Sequence, residues 1–187
     1  MANIIMAPPF SGKTNYCKTW SQYCPENTWR KHNGGKQVYG NGGLPCGDKI
    51  IEIDCREYTD ESGNFDLDSY MKAIKEGINN NEDFIFIASY KSIREALEKE
   101  NIKYYLLYPD PDPEQQSLKI DWKIRMEESG MDKNKIKAIL DKWNDYIADF
   151  DKETFPYKCT FKTYVNWTEI TVDLINSLGF FNEIVED

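Results

Sequence analysis

The chain has 187 residues and a formal net charge of −9, and 40% of its residues are hydrophobic. This length and composition suffice for one buried core, so we expect a single domain over residues 1–187. The negative charge disfavours general attraction to nucleic acid, although a chain with this net charge could still have a local basic groove. Pro8 and Pro9 interrupt the N-terminal apolar stretch, and the chain has no run of about eighteen apolar residues. We therefore expect a soluble cytoplasmic protein without a signal peptide or membrane span.

The first element is a short apolar strand that runs into a phosphate-loop pattern. Residues 7–14 read Ala-Pro-Pro-Phe-Ser-Gly-Lys-Thr and fit G-x-x-x-x-G-K-[ST], except that Ala7 replaces the first glycine. Gly12 allows backbone amides to face phosphate oxygens, Lys13 supplies an ammonium, and the Thr14 hydroxyl suits Mg²⁺. The pattern predicts ATP bound by Pro9, Phe10, Ser11, Gly12, Lys13, Thr14 and Asn15. The alternatives are a turn that binds no phosphate and a loop that binds nucleotide without catalysis.

Residues 13–24 form the next predicted element, a helix whose aromatic residues suit the core. The five cysteines of the chain include no C-x-x-C pair, which is typical of reduced cytosolic thiols. A zinc site is the alternative, although its spacing follows no familiar pattern. Its ligands would be Cys17, Cys24, His32 and Cys46.

Residues 25–48 form a glycine-rich insertion. They contain six of the 11 glycines, and Arg30, Lys31 and Lys36 make the segment locally basic. A connection of this length is uncommon in a compact domain unless it is a lid, a binding loop or a disordered segment. Two interpretations stay open, namely closure over an anionic substrate and a surface insertion.

Residues 49–54 are predicted to form the second strand, with Asp54 at its carboxyl end. Ligands of open α/β sheets lie beyond this end of the strands, so we expect Asp54 and Arg56 near the same phosphates as Lys13. Asp54 could accept a proton from a hydroxyl or bind Mg²⁺, and Arg56 could pair with an acceptor phosphate. The structural alternative is that Asp54 caps a turn.

A helix over residues 67–78 and a buried strand over residues 84–88 follow. No acidic residue ends this strand, which disfavours a motor or switch ATPase. Lys91 and Arg94 begin the next helix, about residues 91–100, where they could bind an acceptor.

Residues 102–108 form a further predicted strand, and alternating prolines separate it from a helix over about residues 114–129. The segment over residues 114–130, which contains this helix, is a possible lid that excludes water. Its cations are Lys119, Lys123 and Arg125, and we favour Arg125 for the transferring phosphoryl group because a planar guanidinium suits dispersed charge. The alternative is a solvated face with salt bridges to Glu127 and Glu128.

The remaining elements are predicted to support this arrangement. They are a long helix over 133–150, a short strand over 158–163, a closing helix over 167–178 and an acidic tail over 182–187.

The element order resembles the nucleoside and nucleotide kinase branch of P-loop proteins, and is particularly similar to small adenylate-kinase-like proteins common in bacteriophage genomes. The resemblance covers about residues 1–150, and the insertion over 25–48 departs from it. It is carried by the segments 84–94 (Phe-Ile-Phe-Ile-Ala-Ser-Tyr-Lys-Ser-Ile-Arg) and 104–109 (Tyr-Tyr-Leu-Leu-Tyr-Pro), with residues 122–125 and 141–143. It implies a three-layer α/β fold with a five-stranded parallel sheet in the order 2-3-1-4-5.

The same resemblance implies ATP as donor, Mg²⁺, acceptor contacts from Asp54, Arg56 and Arg94, and a lid role for Arg125. We therefore expect a phosphotransferase that acts on a nucleoside monophosphate or a related nucleotide. Polynucleotide 5′-kinases are similar in having an Asp followed closely by an Arg after the second strand, and there the Asp is the general base. A nucleoside or polynucleotide hydroxyl kinase is one alternative, and a non-catalytic protein that senses or sequesters nucleotides is another.

Overall fold

A computed structural model of the chain describes residues 2–14, 16–17, 50–80, 82, 84–111 and 116–161, with the backbone alone at residues 116 and 117. Several predictions concern residues outside these ranges. They are the ATP contact of Asn15, the later turns of the helix over 13–24, the insertion over 25–48, the helix over 167–178 and the tail.

Five strands form one parallel sheet in the order β2-β3-β1-β4-β5. They are β1 (Asn3–Ala7), β2 (Ile50–Glu52), β3 (Phe84–Ala88), β4 (Tyr105–Pro109) and β5 (Tyr157–Phe161). The predicted three-layer α/β fold and its strand order are confirmed.

Five α-helices lie around the sheet within the described residues. They are α1 (Leu67–Asn79), α2 (Lys91–Lys99), α3 (Gln116–Glu128), α4 (Lys133–Asp141) and α5 (Trp143–Lys152). A short 3-10 helix, Cys55–Tyr58, follows β2. None of the helices in the described part of the chain is both long and apolar enough to cross a bilayer.

The segments that follow β1, β2 and β3 all begin at the same edge of the sheet, where the carboxyl ends of these parallel strands lie. β1 and β3 pair in register from Asn3 and Phe84 to Ala7 and Ala88, and every residue of β3 is buried. Such continuous apolar strands are typical of a sheet covered on both faces. The phosphate-loop segment after β1, the 3-10 helix after β2 and Ser89 after β3 therefore begin at the same edge.

Helix α1 packs closely on this part of the sheet. The Asp66 side chain caps the helix by accepting from the Ser69 amide at 3.0 Å. A Cβ on Gly77 would lie 2.9 Å from Cδ1 of Ile85 and 3.1 Å from Cδ1 of Ile51, so glycine permits the close approach.

Two predicted bounds are wrong in ways that matter for the site. The second strand ends at Glu52, two residues before Asp54. The single helix expected over residues 133–150 is broken at Lys142, whose φ of −98° and ψ of 9° lie outside the helical region. The break allows α4 to pack against α3 while α5 packs against β4.

Candidate functional site

The loop after β1 has the compact backbone that its sequence predicts. Phe10 and Gly12 have positive φ angles of 62° and 94°. Helical structure begins at Lys13, and the Tyr16 amide donates to the Gly12 carbonyl at 3.0 Å. The positive end of a helix therefore adjoins the loop, an arrangement that favours anions.

Lys13 extends back along its own loop. Its Nζ atom donates to the carbonyls of Ala7 at 2.9 Å and Pro8 at 3.0 Å, and the residue is 8% exposed. Burial lowers the pKa of Lys13 from 10.5 to about 8, even though the nearby Glu52 carboxylate acts in the opposite direction. An ammonium held this way has two carbonyl partners that phosphate oxygens could replace.

The carboxylate that reaches the loop belongs to Glu52. Thr14 Oγ1 donates to Glu52 Oε1 at 3.0 Å, and this bond joins the helical turn that begins at Lys13 to the end of β2. Sequence reasoning missed Glu52 because it placed the strand end at Asp54. The alternation of residues 50–54 does carry a signal, since Glu52 and Asp54 would share one face of a strand.

Asp54 has a different partner from the one predicted. Its carboxylate accepts from Arg56 Nε at 2.8 and 3.0 Å, and it also caps the 3-10 helix through the Arg56 amide at 2.9 Å. The hydrogen bonds from the Arg56 side chain lower the pKa of Asp54, which makes this carboxylate a weaker base. The capping alternative is therefore confirmed, and the predicted catalytic and Mg²⁺-binding roles of Asp54 stay predictions.

Arg94 lies inside the protein. Its guanidinium donates to Glu153 Oε1 at 2.7 Å and to the Ser89 carbonyl at 2.8 Å, and it forms an ion pair with Asp149. The residue is 2% exposed. These groups engage the guanidinium in the described residues, and the acceptor contact of Arg94 stays a prediction.

Two of the other predicted cations, Lys91 and Lys123, lie at the surface. Lys91 is 4.0 Å from Glu95 and Lys123 is 3.8 Å from Glu127, and all four side chains are about half exposed or more. For Lys123 this agrees with the solvated alternative. Lys119, one turn earlier on α3, is half-buried.

Helix α3 contacts the loop through two side chains. Trp122 Nε1 donates to the Pro9 carbonyl at 2.8 Å, and Arg125 Nη1 donates to the Phe10 carbonyl at 2.6 Å. Arg125, favoured among the cations of this helix, is therefore the one that the structure places against the loop. No loop contact was predicted for Trp122, and nothing in its local sequence indicates one.

The ends of β2 and β3 are linked by Tyr70 of α1. Its hydroxyl donates to the Ile53 carbonyl at 2.8 Å and accepts from the Ala88 amide at 3.1 Å, and the residue is fully buried. This link fixes the edge from which Glu52 reaches Thr14.

The described residues contain no cluster of three or more His, Cys, Asp or Glu side chains that could hold a metal ion. The zinc alternative depends on Cys24, His32 and Cys46, which lie outside the described ranges. Its fourth residue, Cys17, is a reduced thiol, and burial raises its pKa to about 12.

The site combines a helix start, a buried ammonium, a hydroxyl and a carboxylate at one edge of the sheet. Amides and the Lys13 ammonium suit phosphate oxygens, whereas Thr14 and Glu52 suit a hard cation such as Mg²⁺. Neither the protein-family models nor the curated protein sequences that were compared with this chain match it.

Proposed function

We propose that the protein is an ATP- and Mg²⁺-dependent phosphotransferase whose donor site is the loop over residues 7–14. The observation that carries the proposal is the buried Lys13 ammonium, which lies inside a loop that leads directly into a helix. The hydrogen-bonded pair Thr14 and Glu52 lies beside it. The two partners of this ammonium are neutral carbonyls, and the oxygens of a triphosphate would give it charged partners in their place.

In this proposal the chain's own groups divide the work. Lys13 exchanges its two carbonyl partners for phosphate oxygens, and the loop amides bind the remaining oxygens. Thr14 and Glu52 hold Mg²⁺, directly or through its water ligands, and thereby place positive charge against the phosphates. Catalysis then rests mainly on positioning and charge neutralisation.

Arg125 is the cation proposed to neutralise charge on the transferring group. Its side chain already donates a hydrogen bond to the Phe10 carbonyl of the loop. A change of its rotamer, without movement of α3, therefore suffices to redirect the guanidinium.

The proposed acceptor is a nucleoside monophosphate or a related nucleotide, with Arg56 as the contact for its phosphate. The Arg56 side chain is 77% exposed beyond the end of β2, which leaves it accessible to a ligand. A nucleoside or polynucleotide hydroxyl kinase is the second candidate. The predicted base for that reaction is Asp54, both of whose oxygens accept from Arg56, and Glu52 is the second carboxylate beside the loop.

The test is ADP release from Mg-ATP, measured alone and with a panel of nucleoside monophosphates, nucleosides and 5′-hydroxyl oligonucleotides. We expect turnover that depends on a monophosphate and that Lys13→Ala abolishes. Lys72→Ala, which removes an exposed lysine of α1, is the matched control and should leave turnover unchanged.

The other outcomes separate the alternatives. Turnover with nucleosides or oligonucleotides alone supports the hydroxyl kinase. Tight ATP binding without turnover supports a protein that senses or sequesters nucleotides. Absence of any ATP binding removes the donor site from the proposal.

A further inference from the structure

Two side chains of α3 hold consecutive carbonyl groups at the tip of the loop. Trp122 holds the Pro9 carbonyl and Arg125 holds the Phe10 carbonyl. The two side chains are three residues apart and therefore lie on the same face of α3. They act on one short stretch of backbone from the same side.

These contacts also orient the amides of the loop. A trans peptide unit is planar, so its C=O and N–H groups point in opposite directions, and the described residues contain no cis peptide bond. Holding the Pro9 and Phe10 carbonyls toward α3 turns the amides of Phe10 and Ser11 away from it. Because Pro8 and Pro9 have no N–H, these amides are the first donors that the loop offers.

Trp122 is the more rigid of the two donors. It is 4% exposed, its ring stacks on Phe161 with centroids 5.9 Å apart, and it meets Trp143 edge to face at 5.5 Å. Packing on both sides prevents the indole from turning away. Its N–H therefore stays directed at Pro9 even when the guanidinium of Arg125 changes partner.

The backbone between the two contacts needs such support. Phe10 has a φ of 62°, a conformation that is unfavourable for a residue with a bulky side chain. The bond to Pro9 holds the peptide unit that precedes Phe10, which limits the relaxation of Phe10 to a more favourable φ.

We infer that Trp122 is a positioning residue for phosphate binding: its indole N–H sets the Pro9–Phe10 peptide so that the loop amides face the phosphate chain. The inference rests on the proposed function, because it assigns the phosphate chain to this loop. It concerns the phosphates alone, so binding of the nucleoside part is independent of Trp122.

The test compares Trp122→Phe with the matched control Trp143→Phe, which removes an indole of the same aromatic cluster from α5. Calorimetric titration measures the binding of Mg-ATP, Mg-tripolyphosphate and adenosine to both variants and to the wild type. We expect Trp122→Phe to weaken binding of both phosphate ligands about tenfold, the effect of one lost hydrogen bond and a buried carbonyl left without it. Binding of adenosine should not change, and Trp143→Phe should stay within about twofold of wild type.

A second variant separates the N–H from the ring. Site-specific replacement of Trp122 by benzothienylalanine keeps the bicyclic shape and removes only the donor, so it serves also where Trp122→Phe fails to fold. The same tenfold loss in this variant supports the inference. Wild-type affinity in it, or an equal loss in Trp143→Phe, overturns the inference while the proposed function stands. A wild-type protein that binds neither phosphate ligand removes the proposed function, and this inference with it.

Discussion

Thr14 Oγ1 lies 3.0 Å from Glu52 Oε1, and this hydrogen bond connects the helical turn that begins at Lys13 to the end of β2. It brings a carboxylate to the hydroxyl that the loop pattern assigns to Mg²⁺. Strand β3, which lies between β2 and β1, ends without an acidic residue. The proposed metal site therefore draws its carboxylate from the edge strand β2.

Glu52→Gln is expected to weaken Mg²⁺-dependent nucleotide binding by about 10–100-fold, the range found when a partner of a metal site is lost. The glutamine carbonyl can still accept from Thr14, so the loss reflects charge rather than geometry. Nucleotide titrations at several Mg²⁺ concentrations measure it, and binding of ATP without Mg²⁺ should not weaken. Asp54→Asn is the control, and a larger effect in that variant would return the metal role to Asp54.

Affinity for Mg-ATP is expected to fall as the pH rises above about 8, because the pKa of Lys13 is lowered to about 8 by burial and its charge is lost there. The logarithm of the affinity should decline by at most one unit per pH unit. Titrations from pH 7 to 9.5 test this, with Lys13→Arg as a control that stays charged and shows no such decline. A flat profile for the wild type contradicts the lowered pKa.

The same ionisation has the opposite effect on folding. The pKa of Lys13 is lower in the folded than in the unfolded chain, so the unfolded chain binds more protons between about pH 8 and 10.5. The contribution of Lys13 to the free energy of unfolding therefore increases with pH across this window. Urea denaturation of the wild type and of Lys13→Met measures this contribution. The free energy of unfolding of the wild type, relative to that of the variant, should increase as the pH rises. A difference that is constant with pH argues against it.

Tyr70→Phe is expected to lower the free energy of unfolding by about 2 kcal/mol, since it leaves the Ile53 carbonyl and the Ala88 amide without their bonds to the Tyr70 hydroxyl. Urea denaturation measures the change. Tyr157→Phe removes a hydroxyl from a residue that is 56% exposed, and it should change stability by less than about 0.5 kcal/mol. Equal effects of the two substitutions would show that the link between β2 and β3 contributes little.

Arg94→Met and Arg56→Met form a matched pair that separates a structural from an acceptor role. The first removes a buried guanidinium from Asp149 and Glu153 and should lower the free energy of unfolding by about 2–4 kcal/mol. The second alters an exposed side chain and should leave stability nearly unchanged while raising KM for the phosphate acceptor. A raised acceptor KM in a stably folded Arg94→Met protein would support the predicted acceptor role of Arg94.

Most of the fold could be predicted because its signals are local. The loop pattern over residues 7–14, the apolar run over residues 84–88 and the amphipathic helix near residues 67–78 each identify their element from neighbouring residues alone. The strand order followed from a resemblance in element order, and the sheet confirms it. The break at Lys142 was missed, because the apolar periodicity continues across it while the packing partners of the two halves differ.

The sequence by itself determined the loop, the strands and the charges available to the site. Only the tertiary structure decided which charges meet: Glu52 rather than Asp54 joins Thr14 across 38 residues, and Trp122 reaches Pro9 across 113. It also decided that Arg94 pairs with Asp149 and Glu153, 55 and 59 residues away. The physical reason is that backbone periodicity depends on near neighbours, whereas an ion pair or a side-chain hydrogen bond depends on where each strand stops and which helix covers it.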